Sequence, residues 1–275
     1  MTREKRYPVS LAAIFLSFWR HRELVWQMTR QEVLARYQGS FMGLLWSFLN
    51  PILMLGIYTF VFGFVFPSRW EYQADSPPEF AIILFAGLIA VNLFSECVNR
   101  ACPLIVSHPS YVKKVVFPLE VLPWITVGSA LFHTSVNFLV LLLLYVGTYH
   151  RIEPTVLLLP VLYLPFIFLI IGLCWLLSCL GVFLRDIGQT VSLLTSALMF
   201  LSPVFYSLSF VPEAARPYFY FNPMTFMILQ TRGLLLGENG LDWRGWAVYT
   251  AVGLFVAWTG FALFQKLRKN FADVL

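Results

Sequence analysis

The sequence predicts an all-α integral membrane protein: six transmembrane helices, an N-terminal amphipathic interface helix, and short re-entrant or external gate helices between the fifth and sixth spans. Hydrophobic residues make up 59% of the chain and charged residues only 12%, whereas soluble domains carry about 25% charged residues. The apolar residues occur in blocks of about 20, a length that crosses about 30 Å of hydrocarbon as a helix. Basic residues fall mostly between the blocks, as orientation signals do.

Residues 1–38 are predicted to form a cytoplasmic amphipathic interface segment, followed by a transmembrane domain over 39–275. Apolar residues recur in the first segment at helical spacing: Leu11, Ile14, Phe15, Phe18 and Trp19. This spacing predicts a helix on the inner membrane face, with Trp19 and Trp26 at the head groups. A helix packed on a partner protein is an equally good interpretation and is compatible with the first. The N-terminus lacks a cleavable-signal pattern, so we expect it to stay in the cytoplasm.

The apolar blocks predict spans at roughly 41–66, 80–106, 121–148, 156–183, 188–208 and 245–265. The gate region, 209–244, lies between the last two spans and is interrupted by Pro212, Pro217 and Pro223. Its apolar piece is too short to cross a membrane. It fits a re-entrant or interfacial hairpin that is buried by protein or lines a cavity.

An even number of spans places both termini on one side, and the basic residues indicate which side that is. All the lysines and most of the arginines fall on the side of the termini. The opposite side receives only arginines: Arg69, Arg151, Arg216, Arg232 and Arg244. Because basic residues concentrate in cytoplasmic loops, both termini are expected to be cytoplasmic.

Motifs for catalysis or nucleotide binding are missing from the sequence, including the P-loop, H-E-x-x-H and G-x-S-x-G. We therefore expect no catalytic residue, no metal site and no cofactor in this chain, so that ATP-driven transport would need ATP and Mg²⁺ on another chain. The cysteines lie inside apolar blocks without metal-ligand spacing and are expected to be small buried side chains. A nucleic-acid partner is not expected, because no soluble basic face is present.

Polar residues inside the predicted spans are candidates for function because burying them is costly. Glu96 and Arg100 lie four residues apart in the second span, the spacing of an ion pair on one helix face. The pair either lines a polar conduit near its cytoplasmic mouth or fixes helix packing, and Asn92 adds polarity nearby. His133 and Asn137 repeat the spacing in the third span, where a hydrogen bond between helices is favoured over a proton relay.

Aromatic residues exceed what two interfacial belts require, with 27 Phe, 12 Tyr and 9 Trp. Most are expected to face lipid or pack the interior. Aromatic faces also stack on sugar rings, and a path lined by them can pass a long polymer. We assign Tyr58, Phe94, Trp124 and Tyr206 to such a conduit, together with Asn92, Glu96 and Arg100.

Two predicted cytoplasmic loops are short enough to be structured. Such a loop either transmits the motion of a cytoplasmic motor to the spans beside it or serves as a plain basic anchor. The residues assigned to contact with an ATPase subunit are His108, Pro109, Ser110, Tyr111, Lys113, Lys114, Arg185 and Asp186.

The segment RYQGSFMGLLWSFLNPILMLGIYTFVFGFVF, residues 36–66, closely resembles the first span of the ABC-2 family polysaccharide-export permeases. These include the O-antigen permeases called Wzm, the capsule permeases and the teichoic-acid permeases. Further similar motifs extend over essentially the whole chain: KKVVFPLEVLP at 113–123, LRDIGQ at 184–189, SPVFY at 202–206 and FNPMT at 221–225. The Gly39 and Gly43 spacing and the SFLNP stretch are closer to the O-antigen and teichoic-acid members.

The resemblance implies a half-transporter in a bacterial inner membrane. Two copies would form the conduit, and two cytoplasmic Wzt-like P-loop ATPase subunits would drive it, contacting the N-terminal segment and the loop around 107–114. Residues 209–236 would form external gate helices. The substrate would be a polysaccharide linked to undecaprenyl diphosphate, with O-antigen favoured. Arg30 and Arg36 are predicted to attract the diphosphate, because the arginine fork suits phosphate oxygens.

Other functions stay open at this stage. Within the family they are export of capsular or teichoic-acid polymers and export of drugs or small lipids. Outside it they are a membrane-embedded glycosyltransferase or flippase-type enzyme, with Glu96 as its candidate carboxylate, and an ion-coupled carrier. Neither inverted repeats nor paired broken helices support the carrier. A neighbouring gene for a P-loop ATPase would favour export.

Overall fold

The computed structural model describes residues 10–61, 77–113, 117–184, 186–237 and 240–274, and all regular structure within these ranges is helical. The α-helices there are α1 (Leu11–Arg20), α2 (Arg22–Tyr37), α3 (Trp46–Thr59), α4 (Pro77–Ala101), α5 (Pro109–Lys113), α6 (Leu122–Tyr149), α7 (Leu159–Phe183), α8 (Ile187–Leu201), α9 (Arg216–Phe219), α10 (Pro223–Leu236), α11 (Trp243–Leu267) and α12 (Phe271–Val274).

Each predicted span coincides with a helix, but the helices differ in length. Within the described ranges, α4, α6, α7 and α11 belong to helical segments that are long and apolar enough to cross a membrane. The first predicted span contains the shorter apolar segment Gly43–Thr59, and the fifth contains α8. Whether α3 and α8 cross the membrane therefore stays a prediction. The end of the first predicted span, 62–66, lies outside the described residues.

Two predicted boundaries are wrong. The fifth span was expected to reach residue 208, but α8 ends at Leu201 because Ser202 adopts extended backbone before a proline that cannot continue the helix. The second was expected to reach residue 106, but α4 ends at Ala101 and turns follow over 102–107. The interface segment forms two helices, α1 and α2, that meet at His21.

Two glycines with positive φ lie between α2 and α3. Gly39 has a φ of 80° and Gly43 a φ of 52°, in the left-handed region that side chains with a Cβ disfavour. Helix α3, which follows them, lies alongside α4 and α6. The positive φ angles thus explain why glycine occupies these two positions, which are the glycines of the family resemblance.

Helix α4 lies at the centre of the fold. It packs against α3, α6, α7, α8 and α10. In its apolar 18-residue stretch 83% of the residues are buried, whereas the corresponding fraction in α11 is 28%. The exposed side of α11 carries large apolar residues, among them Val248, Val252 and Phe255. Such a surface suits contact with lipid or with another protein chain.

Helix α10 confirms the expectation that the apolar piece of the gate region is buried by protein. Met224, Met227, Ile228 and Leu234 have no exposed surface, and the helix packs against α4 and α7. Its N-cap is Asn222, whose side-chain oxygen accepts from the Met224 N–H at 2.9 Å, and Pro223 occupies the first turn. These are standard signals for a helix start.

Candidate functional site

A cavity of about 810 Å³ opens between α2, α3, α4 and α6. Each helix contributes side chains at helical spacing, so that one face of each points into the cavity. The lining residues are Glu32, Arg36, Tyr37, Trp46, Ser47, Asn50, Pro51, Met54, Tyr58, Phe85, Leu88, Asn92, Ser95, Glu96, Asn99, Arg100, Ser129, His133 and Asn137.

The cavity wall combines apolar side chains with many neutral polar ones. Four side-chain amides, Asn50, Asn92, Asn99 and Asn137, point into the cavity with several hydroxyl groups. Amides and hydroxyls both donate and accept hydrogen bonds, and a sugar polymer presents the same kinds of group. The lining therefore suits a hydroxyl-rich ligand better than a purely apolar one.

The charged end of the cavity contains a cluster, which we call the charge cluster, of Glu32, Arg36, Glu96 and Arg100. Arg36 Nη1 donates to Glu96 Oε1 at 2.5 Å, and Arg100 forms an ion pair with Glu32. Arg100 Nη1 also lies 3.3 Å from Glu96 Oε1. The Glu96–Arg100 ion pair expected within α4 is therefore confirmed. Its other partners, Glu32 and Arg36, lie on α2, and the sequence did not reveal that α2 pairs with α4.

His133 lies beside the charge cluster and not in a bond with Asn137. Its Nδ1 is 3.3 Å from Arg36 Nη1 and 4.0 Å from Glu96 Oε1. The expected hydrogen bond between helices is thus found, between α6 and α2. Tyr37 packs edge-on against the imidazole ring. Burial raises the pKa of the Tyr37 hydroxyl, an effect that Arg36 opposes and Glu96 reinforces, so this group stays a neutral donor.

The residues assigned to the conduit separate into two groups. Tyr58, Asn92, Glu96 and Arg100 line the cavity. Phe94, Trp124 and Tyr206 do not, and are described with their contacts below.

Phe94 and Trp124 pack within the protein interior. Phe94 is buried and stacks on Phe166 at a centroid distance of 6.3 Å. Trp124 lies between Phe18 and Trp175. The cavity thus receives fewer of the assigned aromatics than expected, because these two side chains serve helix packing.

Tyr206 lies beyond the end of α8. Its hydroxyl donates to the Phe200 carbonyl at 3.1 Å, and its ring packs edge-on against Phe219 of α9. Tyr206 therefore contacts the gate region through Phe219 and does not line the cavity.

The two arginines assigned to the lipid diphosphate face different spaces. Arg36 points into the cavity. Arg30 lines a separate groove on the other side of α2, with Gln27, Gln31 and Gln38. Six residues along a helix make one full turn plus about 240° at 3.6 residues per turn. The two side chains therefore leave α2 on different faces and do not point at one phosphate group.

The loop assigned to ATPase contact is compact and partly exposed. His108 stacks on Tyr111, which stacks on Phe117 at 4.4 Å between centroids. Pro109, Ser110 and Lys113 are exposed on α5, and Asp186 is exposed before α8. Lys114 and Arg185 lie outside the described residues.

Arg232 was counted from sequence among the arginines of the outer side, and the structure shows that it is a buried residue of a helix. It lies on α10 with 1% of its surface exposed. Its guanidinium donates to the carbonyls of Ile83, Pro203 and Val204 at 2.9, 2.6 and 2.8 Å. Arginine donors can be buried where carbonyls receive them in this way, and this side chain therefore holds packing contacts instead of marking a loop.

Asn50, Met54 and Ser129 line the cavity but were not predicted from the sequence. Asn50, Met54 and Tyr58 on α3 follow each other at intervals of four, as do Ser129, His133 and Asn137 on α6. Asn50 and Ser129 are polar residues at this spacing inside apolar blocks, and that spacing is the signal by which the two helix faces could have been predicted. Within the described ranges, no group of three His, Cys, Asp or Glu side chains has the arrangement of a metal site.

Comparison with known proteins gives consistent matches. The profile of a family described as ABC-2 type transporter matches residues 23–236. An "O-antigen export system permease protein RfbA" of Myxococcus xanthus is 29% identical over 259 residues, which is 93% of this chain and 96% of the relative. Two proteins of the same name from Klebsiella pneumoniae are 26% and 27% identical, over 92% of this chain and 95% of each relative.

Proposed function

Because the chain belongs to the ABC-2 type transporter family, we propose that it is the permease subunit of an ATP-driven exporter of O-antigen linked to undecaprenyl diphosphate. The membership confirms the resemblance expected from the sequence motifs. One observation carries the proposal: the similarity to proteins named O-antigen export permeases extends over at least 92% of the chain. The amide and hydroxyl groups among the apolar residues of the cavity wall support a sugar polymer as the cargo.

The energy for export comes, in this proposal, from separate subunits. The sequence has no P-loop, so ATP and Mg²⁺ would bind to two Wzt-like ATPase subunits on the cytoplasmic side. The exposed residues of α5 and Asp186 are the surface proposed for their contact. The stacked aromatic rings restrain the conformation of this loop. A loop that keeps its conformation can transmit the motion of an ATPase subunit to the helices beside it.

The conduit is proposed to form between two copies of the chain in the bacterial inner membrane. All six helices that coincide with predicted spans would cross, which leaves both termini in the cytoplasm and 209–236 as external gate helices. The cavity opens to the outside of the single chain, and α3 exposes Ile52, Leu53 and Ile57 beside it. A second copy would cover this open side.

The diphosphate head group is proposed to meet the chain near α2. Arg36 faces the cavity and Arg30 the groove behind it, so the two would act in sequence and not on one phosphate. We expect Arg30→Ala combined with Arg36→Ala to reduce export at normal protein level. Unchanged export in this double variant would remove the two arginines from the proposal.

The proposed function is tested by deleting the gene and locating the long-chain polysaccharide. Surface polymer is labelled on intact cells, and the intracellular pool is measured by immunogold sections. We expect lipid-linked polymer to accumulate inside while the surface becomes bare, and the wild-type gene to restore the surface polymer.

A normal surface in the deletion strain, without a second exporter, would contradict the proposal. The family membership would then stand with a different cargo, such as a capsular or teichoic-acid polymer, a drug or a small lipid. These are separated by measuring which molecule accumulates inside the deletion strain.

A further inference from the structure

The charge cluster links α2 and α4 through two ion pairs of opposite polarity. On α2, Glu32 and Arg36 are four residues apart, and on α4 so are Glu96 and Arg100. The helices pass in opposite directions, so Glu32 meets Arg100 and Arg36 meets Glu96. Each helix thus presents one acid and one base to the complementary pair on the other.

Helix α2 packs mainly against α6, and the ion pairs of the charge cluster connect it to α4. Only Val25 and Val33 are buried among its 16 residues. It approaches α6 closely at Gly128, where a Cβ would lie 2.9 Å from Thr29 Oγ1. Because few side chains of α2 are fully buried, its ion pairs to α4 add to the contacts that position the helix.

The charge cluster is also accessible to a ligand in the cavity. The exposed fractions of its side chains are 53% for Arg36, 35% for Arg100, 28% for Glu32 and 21% for Glu96. Arginine binds carboxylate and phosphate oxygens with the same planar fork. A phosphate group can therefore compete with the two glutamates for the two arginines.

We propose that the charge cluster is a releasable clasp: it holds α2 against α4 until an anionic diphosphate head group in the cavity replaces the glutamates as the ligand of Arg36 and Arg100. The inference rests on the proposed function for the identity of the head group. In this proposal Arg100 binds the head group as well as lining the conduit. Glu32 and Glu96 compete with the head group for the two arginines. Release of α2 would then accompany arrival of the substrate.

The test follows the mobility of α2 by electron paramagnetic resonance. One nitroxide is attached at Gln31→Cys, an exposed position on α2, in full-length protein in phosphatidylcholine nanodiscs. The native cysteines are buried, and protein without the added cysteine measures their labelling. Three variants are compared: α2 reversed (Glu32→Arg with Arg36→Glu), α4 reversed (Glu96→Arg with Arg100→Glu), and both helices reversed.

Either single reversal places like charges opposite each other and should raise the ratio of mobile to immobile label by about tenfold, given the modest strength of partly exposed pairs. Reversing both helices restores opposite charges and should return the label to its immobile state. Arg151→Glu with Glu153→Arg swaps an ion pair of the α6–α7 loop, away from α2, and is the matched control, expected to leave the label unchanged. A label that stays mobile in the fully reversed protein would overturn the clasp.

The ligand is tested on the protein with its natural charge cluster, so this arm holds even if a reversed variant fails to fold. Undecaprenyl diphosphate should mobilise the label, whereas undecaprenol, which lacks the diphosphate, should not. If undecaprenyl diphosphate leaves the label immobile, or if phosphatidylglycerol mobilises it equally, the proposed replacement of the glutamates by the diphosphate is overturned. The measurement is independent of export, so failure of the proposed function would appear separately, as normal surface polymer in the deletion strain.

Discussion

At the scale of single residues, the side chain of Arg232 joins three parts of the chain. It extends from α10 to the Ile83 carbonyl in α4 and to two carbonyls just after α8. Gly87 makes room for it, since a Cβ there would lie 2.9 Å from Arg232 Nη2. Asn222 reinforces the same junction by donating to Ser202 Oγ at 2.9 Å. The SPVFY and FNPMT motifs therefore meet in space.

We expect Arg232→Leu to lower the free energy of unfolding by at least about 2 kcal/mol, because each buried carbonyl left without a donor costs about 1–3 kcal/mol. Thermal unfolding of the detergent-purified protein measures the loss. Arg216→Leu is the matched control: this arginine also donates to two carbonyls, but water can replace it. Equal losses in the two variants would contradict a special role for the buried arginine.

A second residue-scale prediction concerns the ion pair between Glu120 and Arg268, whose atoms Oε2 and Nη1 are 2.7 Å apart. The side chains are only 13% and 12% exposed, so water screens the pair weakly. We expect Glu120→Ala to cost about 1.5–3 kcal/mol, the range for hydrogen bonds to charged groups. The same thermal measurement on Glu153→Ala, which removes a pair whose arginine, Arg151, is 72% exposed, should show less than about 1 kcal/mol. A larger loss there would refute the burial argument.

At the scale of elements, α7 and α11 form the closest helix pair in the described part of the chain. A Cβ on Gly260 would overlap the Gly172 carbonyl, and one on Gly172 would lie 2.5 Å from the backbone of α11. Gly253 approaches the Pro165 carbonyl in the same way. Small residues at these crossings let the backbones touch, which is how membrane helices associate without a hydrophobic driving force.

We predict that Gly260→Val separates α7 from α11 and sharply reduces the amount of folded protein in the membrane. Fluorescence-detected size-exclusion chromatography of a tagged chain gives the readout. Gly147→Ala on α6 is the control, because a Cβ there meets nothing within 4 Å; it should be neutral or slightly stabilising. A normal elution profile for Gly260→Val would show that the two helices can move apart at little cost.

At the scale of the whole molecule, the decisive question is whether α3 and α8 cross the membrane. Gly43–Thr59 is about 26 Å long and α8 about 23 Å, from a rise of 1.5 Å per residue. Both are somewhat shorter than the hydrocarbon core of about 30 Å, but local thinning of the bilayer can accommodate such a mismatch. With six crossings, the N-terminus and α5 lie on the same side, and with four crossings they lie on opposite sides.

Impermeant maleimide labelling of single cysteines separates these topologies. In the six-span arrangement, Ser10→Cys and Ser110→Cys are both protected in intact spheroplasts, whereas Glu213→Cys is labelled. All three positions are exposed on the protein, and the chain without added cysteine is the control. Labelling of Ser110→Cys from outside, with Ser10→Cys protected, would leave only the four longer helices as spans.

The sequence by itself determined the helical class, the positions of α4, α6, α7 and α11 to within a few residues except at the end of α4, and the i, i+4 ion pair of Glu96 and Arg100. These features depend on local hydrophobicity and helical period, which neighbouring residues carry. Only the tertiary structure decided which side chains face the cavity and which fill the interior. It also decided that Arg36 meets Glu96, 60 positions away, and that Arg232 reaches Ile83, 149 positions away. Such partners depend on how two helices cross, and periodicity within one helix contains no record of that crossing.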